Sequence, residues 1–205
     1  MPDNALKLPA LLSLFAITLI CVLVLFTVES MTTERIKENR LSASRRIFND
    51  IIPAGYTNDI YNDGLSVVDR YYFGTQKPVS INRIRINEEM IGVLIYPVTA
   101  DGYKSEIELA IGINRDGTIS GTRVLHENET SGLGDQVHQD KSDWIDVFFG
   151  KSLSSYTRNQ WRVISDGGDF DEISGATITS RSVINAVKSA LDYHELSNDI
   201  IYSEK

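Results

Sequence analysis

The chain has 205 residues, of which 42% are apolar and 23% are charged, with a formal net charge of −8 and an isoelectric point near 4.9. This composition excludes a long disordered tract, a collagen-like repeat and a disulfide-framed miniprotein, and the length suits about one domain. The acidic balance argues against a nucleic-acid partner, because neutralising phosphates requires a basic face. One cysteine and three histidines form no pattern for a metal site, so none is expected.

An uncharged apolar stretch of 21 residues, from 8 to 28, follows a short N-terminal tail of residues 1–7. At about 1.5 Å per residue, its length matches the roughly 30 Å hydrocarbon thickness of a bilayer. A cleaved secretory signal is the alternative, but its apolar core is normally about 7 to 15 residues long and ends at an A-x-A-like site. The sequence after Val28 has no such site. We therefore predict an uncleaved transmembrane helix over residues 8–28.

The basic residues that flank this stretch give a weak signal for its orientation. Lys7 precedes it, whereas Arg35, Lys37 and Arg40 follow it. The positive-inside rule taken alone favours a cytoplasmic domain, but long flanking domains translocate largely regardless of charge.

Residues 29–64 are predicted to form a helical neck and linker. An imperfect apolar stripe runs over residues 33–52, and Pro53 would end the helix. This segment would lift the following domain, residues 65–205, off the membrane.

From residue 65 onward, apolar residues tend to recur at every second position, which indicates strands. Five short strands are predicted, with the sequences LSVVDRYYF, VSINRIRIN, MIGVLIYPV, SEIELAIGI and TISGTRVLHE. Helical patterns follow at 141–149 and from 180 to about 194, and the aromatic residues Trp144, Phe148 and Phe149 of the first are assigned to core packing. The order predicts an α+β fold in which a mostly antiparallel sheet is flanked by helices.

A hydroxyl-rich turn with the sequence DEISGATITS, residues 171–180, leads into the C-terminal helix. Backbone N–H groups at a helix start lack intrahelical partners and carry the positive end of the helix dipole, so this turn could bind a phosphate, and Arg181 could add charge. An ordinary helix cap explains the same residues equally well, because serine and threonine are favoured there. Neither GxxxxGK[ST] nor GxGxxG occurs, which argues against hydrolysis of a free nucleotide.

A second stretch, HENETSGLG at residues 126–134, follows the fifth predicted strand. Two glycines bracket Leu133, which indicates a tight turn or close contact with a flat partner. A plain surface loop remains the alternative. His126 has no companion at metal-binding spacing, and the spacing suggests no partner for Glu129 as a general base.

The two stretches together carry a family resemblance. DEISGAT, at 171–177, resembles the flavinylation motif D-x-x-[ST]-G-A-[ST] of FMN-binding domains that carry flavin on a threonine through its phosphate. The ETSGLG part of HENETSGLG, residues 129–134, resembles the end of their H-x-E-T-P-G-L-G stretch, with Ser131 in place of proline, a departure that affects the rigidity of the loop. Upstream, residues 102–107 and 112–119 fit the pattern G-Y-x-x-x-I and G-I-x-x-D-G-x-I. The motif-bearing part covers about residues 93–191.

The resemblance implies roles for individual residues. Thr177 would hold FMN covalently, in a phosphoester made by a separate flavin transferase. Asp171, Ser174, Gly175 and Ala176 would complete the flavinylation motif. The residues implied to line the flavin are Glu129, Thr130, Gly132, Leu133, Gly134, Ser174, Gly175, Ala176 and Thr177. No catalytic residue is implied, because turnover would belong to an assembled complex.

The layout of the whole chain resembles the G-subunit family of the bacterial Rnf/Rsx electron transport complexes, which are membrane-bound and ion-translocating. The C-subunit family of sodium-pumping NADH:quinone reductases is an alternative, but its chains tend to be longer. The resemblance implies a single-pass protein of the bacterial inner membrane, with its FMN domain on the periplasmic side, against the charge count. Its partners would be the other subunits of the complex, the flavin transferase and membrane lipid.

Two other classes of protein fit parts of the sequence. A membrane-tethered sensor or assembly module without flavin would use the SGAT turn only as a helix cap. An anchored hydrolase would need a nucleophile motif, but neither G-x-S-x-G nor S-x-x-K with its companions is present.

Overall fold

The computed structural model describes residues 11–29, 32, 50–53 and 55–203. The chain divides into two units, Met1–Arg46 and Ile47–Lys205. In the first unit, helix α1 spans Leu11–Glu29 and is, among the described residues, the one helix long and apolar enough to cross a membrane. Most of the predicted neck helix and the N-terminal tail lie outside the described residues.

The second unit is built on a six-stranded sheet in which every paired strand is antiparallel, as predicted. The order is β1-β2-β3-β5, with β6 paired to β5, and the short β4 pairs with the first residues of β5. The strands are β1 Gly64–Val67, β2 Val79–Ile86, β3 Glu89–Ile95, β4 Val98–Thr99, β5 Ile107–Asn114 and β6 Ile119–His126.

Helices complete the unit and confirm the α+β class. The longest is α3, Thr177–Leu196, which packs against β4, β5 and the short helix α2, Arg70–Phe73. A final turn, α4, spans Asn198–Ile201. Three short 3-10 helices lie between β6 and α3, at Gly134–Val137, Asp143–Phe148 and Ile164–Asp166.

Both faces of the sheet are buried. Val93 and Ile95 of β3 belong to the larger core, which includes the buried side chains of α3, whereas Leu94 between them packs in a second cluster with Ile51 and Ile52. Successive side chains of a strand point to opposite faces, so burial on both sides explains why these strands read as nearly continuous apolar runs.

The second cluster depends on a pair of glycines. Gly112 and Gly121 are direct partners across β5 and β6, and Ile51 lies over them. A Cβ added at Gly121 would lie 2.8 Å from the Cβ of Ile51. The carbonyl oxygen of Ile51 also accepts a 2.5 Å hydrogen bond from the Ser120 hydroxyl. The segment that enters this unit is thus held on the sheet by close backbone contact.

The first predicted strand, LSVVDRYYF, is wrong in its second half. Strand β1 ends at Val67, and α2 follows it. The side chain of Asp69 accepts hydrogen bonds from the N–H groups of Tyr71 and Tyr72, at 2.9 and 3.3 Å. Such a cap nucleates a helical turn, which overrides the strand propensity of the aromatic residues.

The predicted helix at 141–149 is also wrong in type, because the structure has a six-residue 3-10 helix, Asp143–Phe148. Phe148 is fully buried against Trp161 and Phe170, as predicted, but Phe149 is 70% exposed. Phe149 is the residue after this helix, where the backbone leaves the helical conformation, so its side chain does not follow that of Phe148 into the core.

Candidate functional site

A cleft of about 440 Å³ opens at the N-terminal end of α3. Its walls come from three segments: the connection between β4 and β5, the loop after β6, and the first turn of α3 with the residues before it. The lining residues are Tyr103, Glu129, Thr130, Leu133, Gly134, Gly175, Ala176, Thr177, Ile178 and Thr179. The fold therefore brings the two sequence motifs together around one cleft.

Most residues predicted for the site line this cleft, but three do not. Gly132 turns the chain beside it with a φ of +79°, and its N–H donates a 2.7 Å hydrogen bond to the carboxylate of Asp135. Ser174 is exposed in the turn before Gly175. Asp171 is also exposed, and its carbonyl oxygen accepts a 2.7 Å hydrogen bond from the indole N–H of Trp144.

The start of α3 differs from an ordinary serine or threonine cap. The N-cap residue is Ala176, which has no side chain able to bond the first turn, and Thr177 is the first helical residue. The helix begins three residues earlier than the predicted start at Ser180, whose N–H bonds the carbonyl of Ala176 at 3.0 Å. The first N–H groups of a helix have no intrahelical acceptor and carry the positive end of its dipole. An anion beside Thr177 would therefore be stabilised.

The turn before the helix is fixed from behind by Ser180. Its hydroxyl, fully buried, accepts a 3.0 Å hydrogen bond from the N–H of Ile173. The motif thus uses a hydroxyl of the helix to hold the preceding turn, rather than a hydroxyl of the turn to hold the helix.

Two glycines of the cleft are required by its geometry. Gly175 has a φ of +77°, the left-handed region that glycine adopts without strain, and a Cβ there would lie 3.2 Å from a methyl group of Leu133. A Cβ at Gly134 would lie 2.8 Å from the Cβ of Glu129 and 3.1 Å from the hydroxyl oxygen of Thr179. The loop after β6 can approach α3 this closely only because residue 134 has no side chain.

Glu129 joins the three segments of the wall and is only 7% exposed. Its Oε2 accepts a 2.7 Å hydrogen bond from the hydroxyl of Thr179, and its Oε1 accepts a 3.0 Å bond from the backbone N–H of Lys104. Its own N–H donates a 2.5 Å bond to the carboxylate of Glu127. The structure therefore places Glu129 in the wall of the cleft, where the family resemblance puts a lining residue.

Sequence reasoning missed three of the lining residues, Tyr103, Ile178 and Thr179. Tyr103 belonged to the G-Y-x-x-x-I pattern, and the other two directly follow the threonine of the motif, so a signal existed for each. The hydrogen bond between Thr179 and Glu129 could not be predicted from the sequence, because these residues are 50 positions apart.

Arg181 does not add charge to the cleft, contrary to the expectation from sequence. Its guanidinium forms two hydrogen bonds, of 2.6 and 3.0 Å, to the carboxylate of Asp166. The hydrogen bonds from Arg181 hold the pKa of the Asp166 carboxyl below its usual value. Among the described residues that line the cleft, none is lysine or arginine, and Glu129 alone carries a charge.

Residues 102–192, which include β5, β6, most of α3 and the residues that line the cleft, match the family described as the FMN-binding domain. Relatives extend the similarity beyond this domain. The G subunit of the ion-translocating oxidoreductase complex of Shewanella piezotolerans is 36% identical over 194 residues, which cover 94% of this chain and 91% of the relative. Its counterpart in Shewanella baltica is 34% identical, covering 99% and 95%, and that in Salmonella typhi is 37% identical, covering 82% and 81%. The chain belongs to the G-subunit family of ion-translocating oxidoreductase complexes.

Proposed function

We propose that this chain is a membrane-anchored electron-transfer subunit that carries FMN in a phosphoester bond to Thr177 and relays electrons between other subunits of an ion-translocating oxidoreductase complex. One observation carries the proposal: the Thr177 hydroxyl lies at the first residue of α3, in a cleft to which both flavin motifs contribute. The flavin would supply the redox chemistry, and the protein would position it.

The charges of the cleft support a covalent linkage over binding of free FMN. A phosphate monoester carries nearly two negative charges at neutral pH, whereas a diester carries one. The described residues that line the cleft provide no basic side chain to offset that charge, and Glu129 adds a further negative charge. The start of α3 supplies a positive element. A covalent bond both reduces the charge of the phosphate and keeps the cofactor in place.

The remaining lining residues suit the other parts of the cofactor. Tyr103, Leu133 and Ile178 are large apolar side chains that remain substantially exposed at the cleft. A flat aromatic ring system would cover them, which is the usual reason that such side chains gather in a concave site. Gly175 and Ala176 would let the backbone approach the phosphate.

Attachment needs a second protein. The hydroxyl of Thr177 is a weak nucleophile, so the donor would be a flavin dinucleotide activated by a metal in a flavin transferase. The threonine oxygen would form a bond to the FMN phosphorus as the bond to the nucleoside monophosphate breaks, and the hydroxyl proton would pass to a base of the transferase. The exposed Asp171 would belong to the surface that the transferase recognises.

The membrane arrangement is proposed from α1 and from the family. Helix α1 would cross a bacterial inner membrane once, with its apolar side chains against lipid, and residues 65–205 would form the FMN domain on the periplasmic side. Reporters fused at the C-terminus test this orientation. Activity of a reporter that functions only in the cytoplasm would contradict it.

The decisive experiment for the cofactor is to express the chain with and without a flavin transferase, denature it and look for flavin fluorescence on a gel. We expect a fluorescent band that requires the transferase and is abolished completely in Thr177→Ala. Thr177→Ser keeps the hydroxyl and should retain some of the signal. A wild-type band that stays dark beside an active transferase would favour the sensor or assembly module instead.

A further inference from the structure

The carboxylate of Glu129 lies in the cleft wall without a basic partner. In the part of the chain that the structure describes, none of its hydrogen-bond donors is charged, since they are the Thr179 hydroxyl and the Lys104 backbone N–H, and no ion pair involves it. Buried carboxylates are usually paired with a cation, because isolation in a medium of low dielectric constant is costly. Glu129 is an exception.

Two glycines, Gly102 and Gly134, leave room for this carboxylate because they have no side chains. A Cβ at Gly102 would lie 3.0 Å from Oε1 of Glu129, and one at Gly134 would lie 2.9 Å from Oε2. Glycines on both sides therefore admit the carboxylate between the loop before β5 and the loop after β6. Because both oxygens also accept hydrogen bonds, the carboxylate is held in one position rather than turned out to water.

We infer that Glu129 sets the reduction potential of the flavin by placing a fixed, uncompensated negative charge in the wall of its cleft. The inference rests on the proposed function, because it requires a flavin at Thr177. Reduction adds electrons to the ring, and a nearby negative charge opposes this more strongly in a partly dry cleft than in water. Glu129 therefore lowers the potential.

The variant Glu129→Gln separates charge from geometry. Its amide oxygen can accept from the Lys104 N–H, and its NH₂ group can donate to the Thr179 hydroxyl, since a hydroxyl both donates and accepts. The shape of the wall and the number of hydrogen bonds are kept, and only the charge is lost. Glu106→Gln is the matched control, because Glu106 is exposed and does not line the cleft.

The test is a potentiometric titration of the full-length, flavin-loaded proteins. In Glu129→Gln we expect the equilibrium constant for reduction to rise about tenfold, which is about 30 mV for a two-electron couple. In Glu106→Gln it should stay at the wild-type value. An unchanged or lower potential in Glu129→Gln overturns the inference, and so does a folded Glu129→Gln protein that no longer accepts flavin, since the carboxylate would then serve attachment.

A second variant covers the case in which Glu129→Gln does not fold. The double change Glu129→Met with Thr179→Val replaces the buried Glu129–Thr179 pair by apolar groups of similar shape, which can be nearly neutral for stability. It leaves the backbone N–H of Lys104, an exposed residue, without its Glu129 acceptor. It should raise the potential as the glutamine variant does, whereas Thr179→Val alone keeps the charge and should not. A wild-type protein without covalent flavin would refute the proposed function. A wild type that carries flavin, with variants of equal potential, would refute only this inference.

Discussion

The two ends of α3 each border a cavity, and the cavities are built in opposite ways. The cleft at the N-terminal end is lined by glycines, threonines and exposed apolar side chains, and its helix start has no side-chain cap. The cavity at the C-terminal end, about 150 Å³, is smaller and mostly polar. It is lined by Arg115, Asp116, Gly117, Ser152, Leu153, Ser154, Leu191, His194, Glu195 and Asn198.

Some polar groups of the C-terminal cavity, such as His194, bond to other protein groups. His194 is 3% exposed, and its Nε2 lies 2.9 Å from the hydroxyl of Tyr202. Burial lowers the pKa of His194 to about 4, against an opposing effect of Asp116, and burial raises the pKa of Tyr202 to about 12. Both side chains are therefore neutral at pH 7. The N-terminal end of α3 thus leaves its first backbone N–H groups without intrahelical acceptors beside a cleft, whereas His194 at the C-terminal end is buried against another side chain.

We expect the largest effect from a side chain added at Gly134, in the cleft at the N-terminal end of α3. In Gly134→Ala the new Cβ meets Glu129 and Thr179 at distances that force the loop away from α3. Overpacking of this kind costs about 3 kcal/mol at the upper end of its usual range. Chemical denaturation should show a lower free energy of unfolding, and the flavin fluorescence of the protein on a gel should be weaker. Gly132→Ala is the control, because a Cβ there meets nothing within 4 Å and costs only the strain of its positive φ, about 1 kcal/mol. Equal effects of the two changes would contradict the close packing of the loop on α3.

A second prediction concerns the stability of the protein at acidic pH. Because the pKa of His194 is lower in the folded protein than its usual 6.5, the unfolded chain binds a proton more readily between these values. The free energy of unfolding should fall as the pH is lowered from about 6.5 toward 4, and the contribution of His194 by pH 4.5 should be about 2 kcal/mol. His194→Gln can still bond the Tyr202 hydroxyl but cannot titrate. The free energy of unfolding, measured by denaturation at several pH values, should therefore depend less on pH in this variant. An equal pH dependence in both proteins would show that His194 is not the group responsible.

The smallest effect is expected at the exposed ion pair beside the cleft. Arg181→Ala removes both hydrogen bonds to Asp166. Exposed ion pairs contribute little, because both charges are well solvated without each other. Thermal unfolding and flavin loading should match the wild type. Loss of flavin in this variant would mean that Arg181 leaves Asp166 to contact the phosphate.

Several features could be predicted from the sequence because they depend on near neighbours. The uncharged stretch predicts a helix able to cross a membrane, alternation predicts antiparallel strands, and the order of elements predicts the α+β class. Both motif stretches are visible in the sequence, and their role in binding flavin stays a prediction. Each of these signals is contained in a few consecutive residues, so no knowledge of distant contacts is needed.

Other features were decided by contacts between distant parts of the chain. Phe149 and Phe148 are equally apolar, yet only Phe148 is buried, and two of the aromatic side chains that cover it, Trp161 and Phe170, come from residues further along the chain. Ala176 is the helix cap although serine and threonines flank it closely, and the turn before it is held by the hydroxyl of Ser180 from within the helix.

The sequence by itself determined the class of the domain, its apolar N-terminal helix and the threonine proposed to carry the flavin. The tertiary structure alone decided that Glu129 meets Thr179 and the Lys104 backbone, and that Arg181 turns to Asp166 instead of the cleft. The physical reason is that the state of a charged side chain depends on its partners and its solvation, and both are set by which segments the fold brings together.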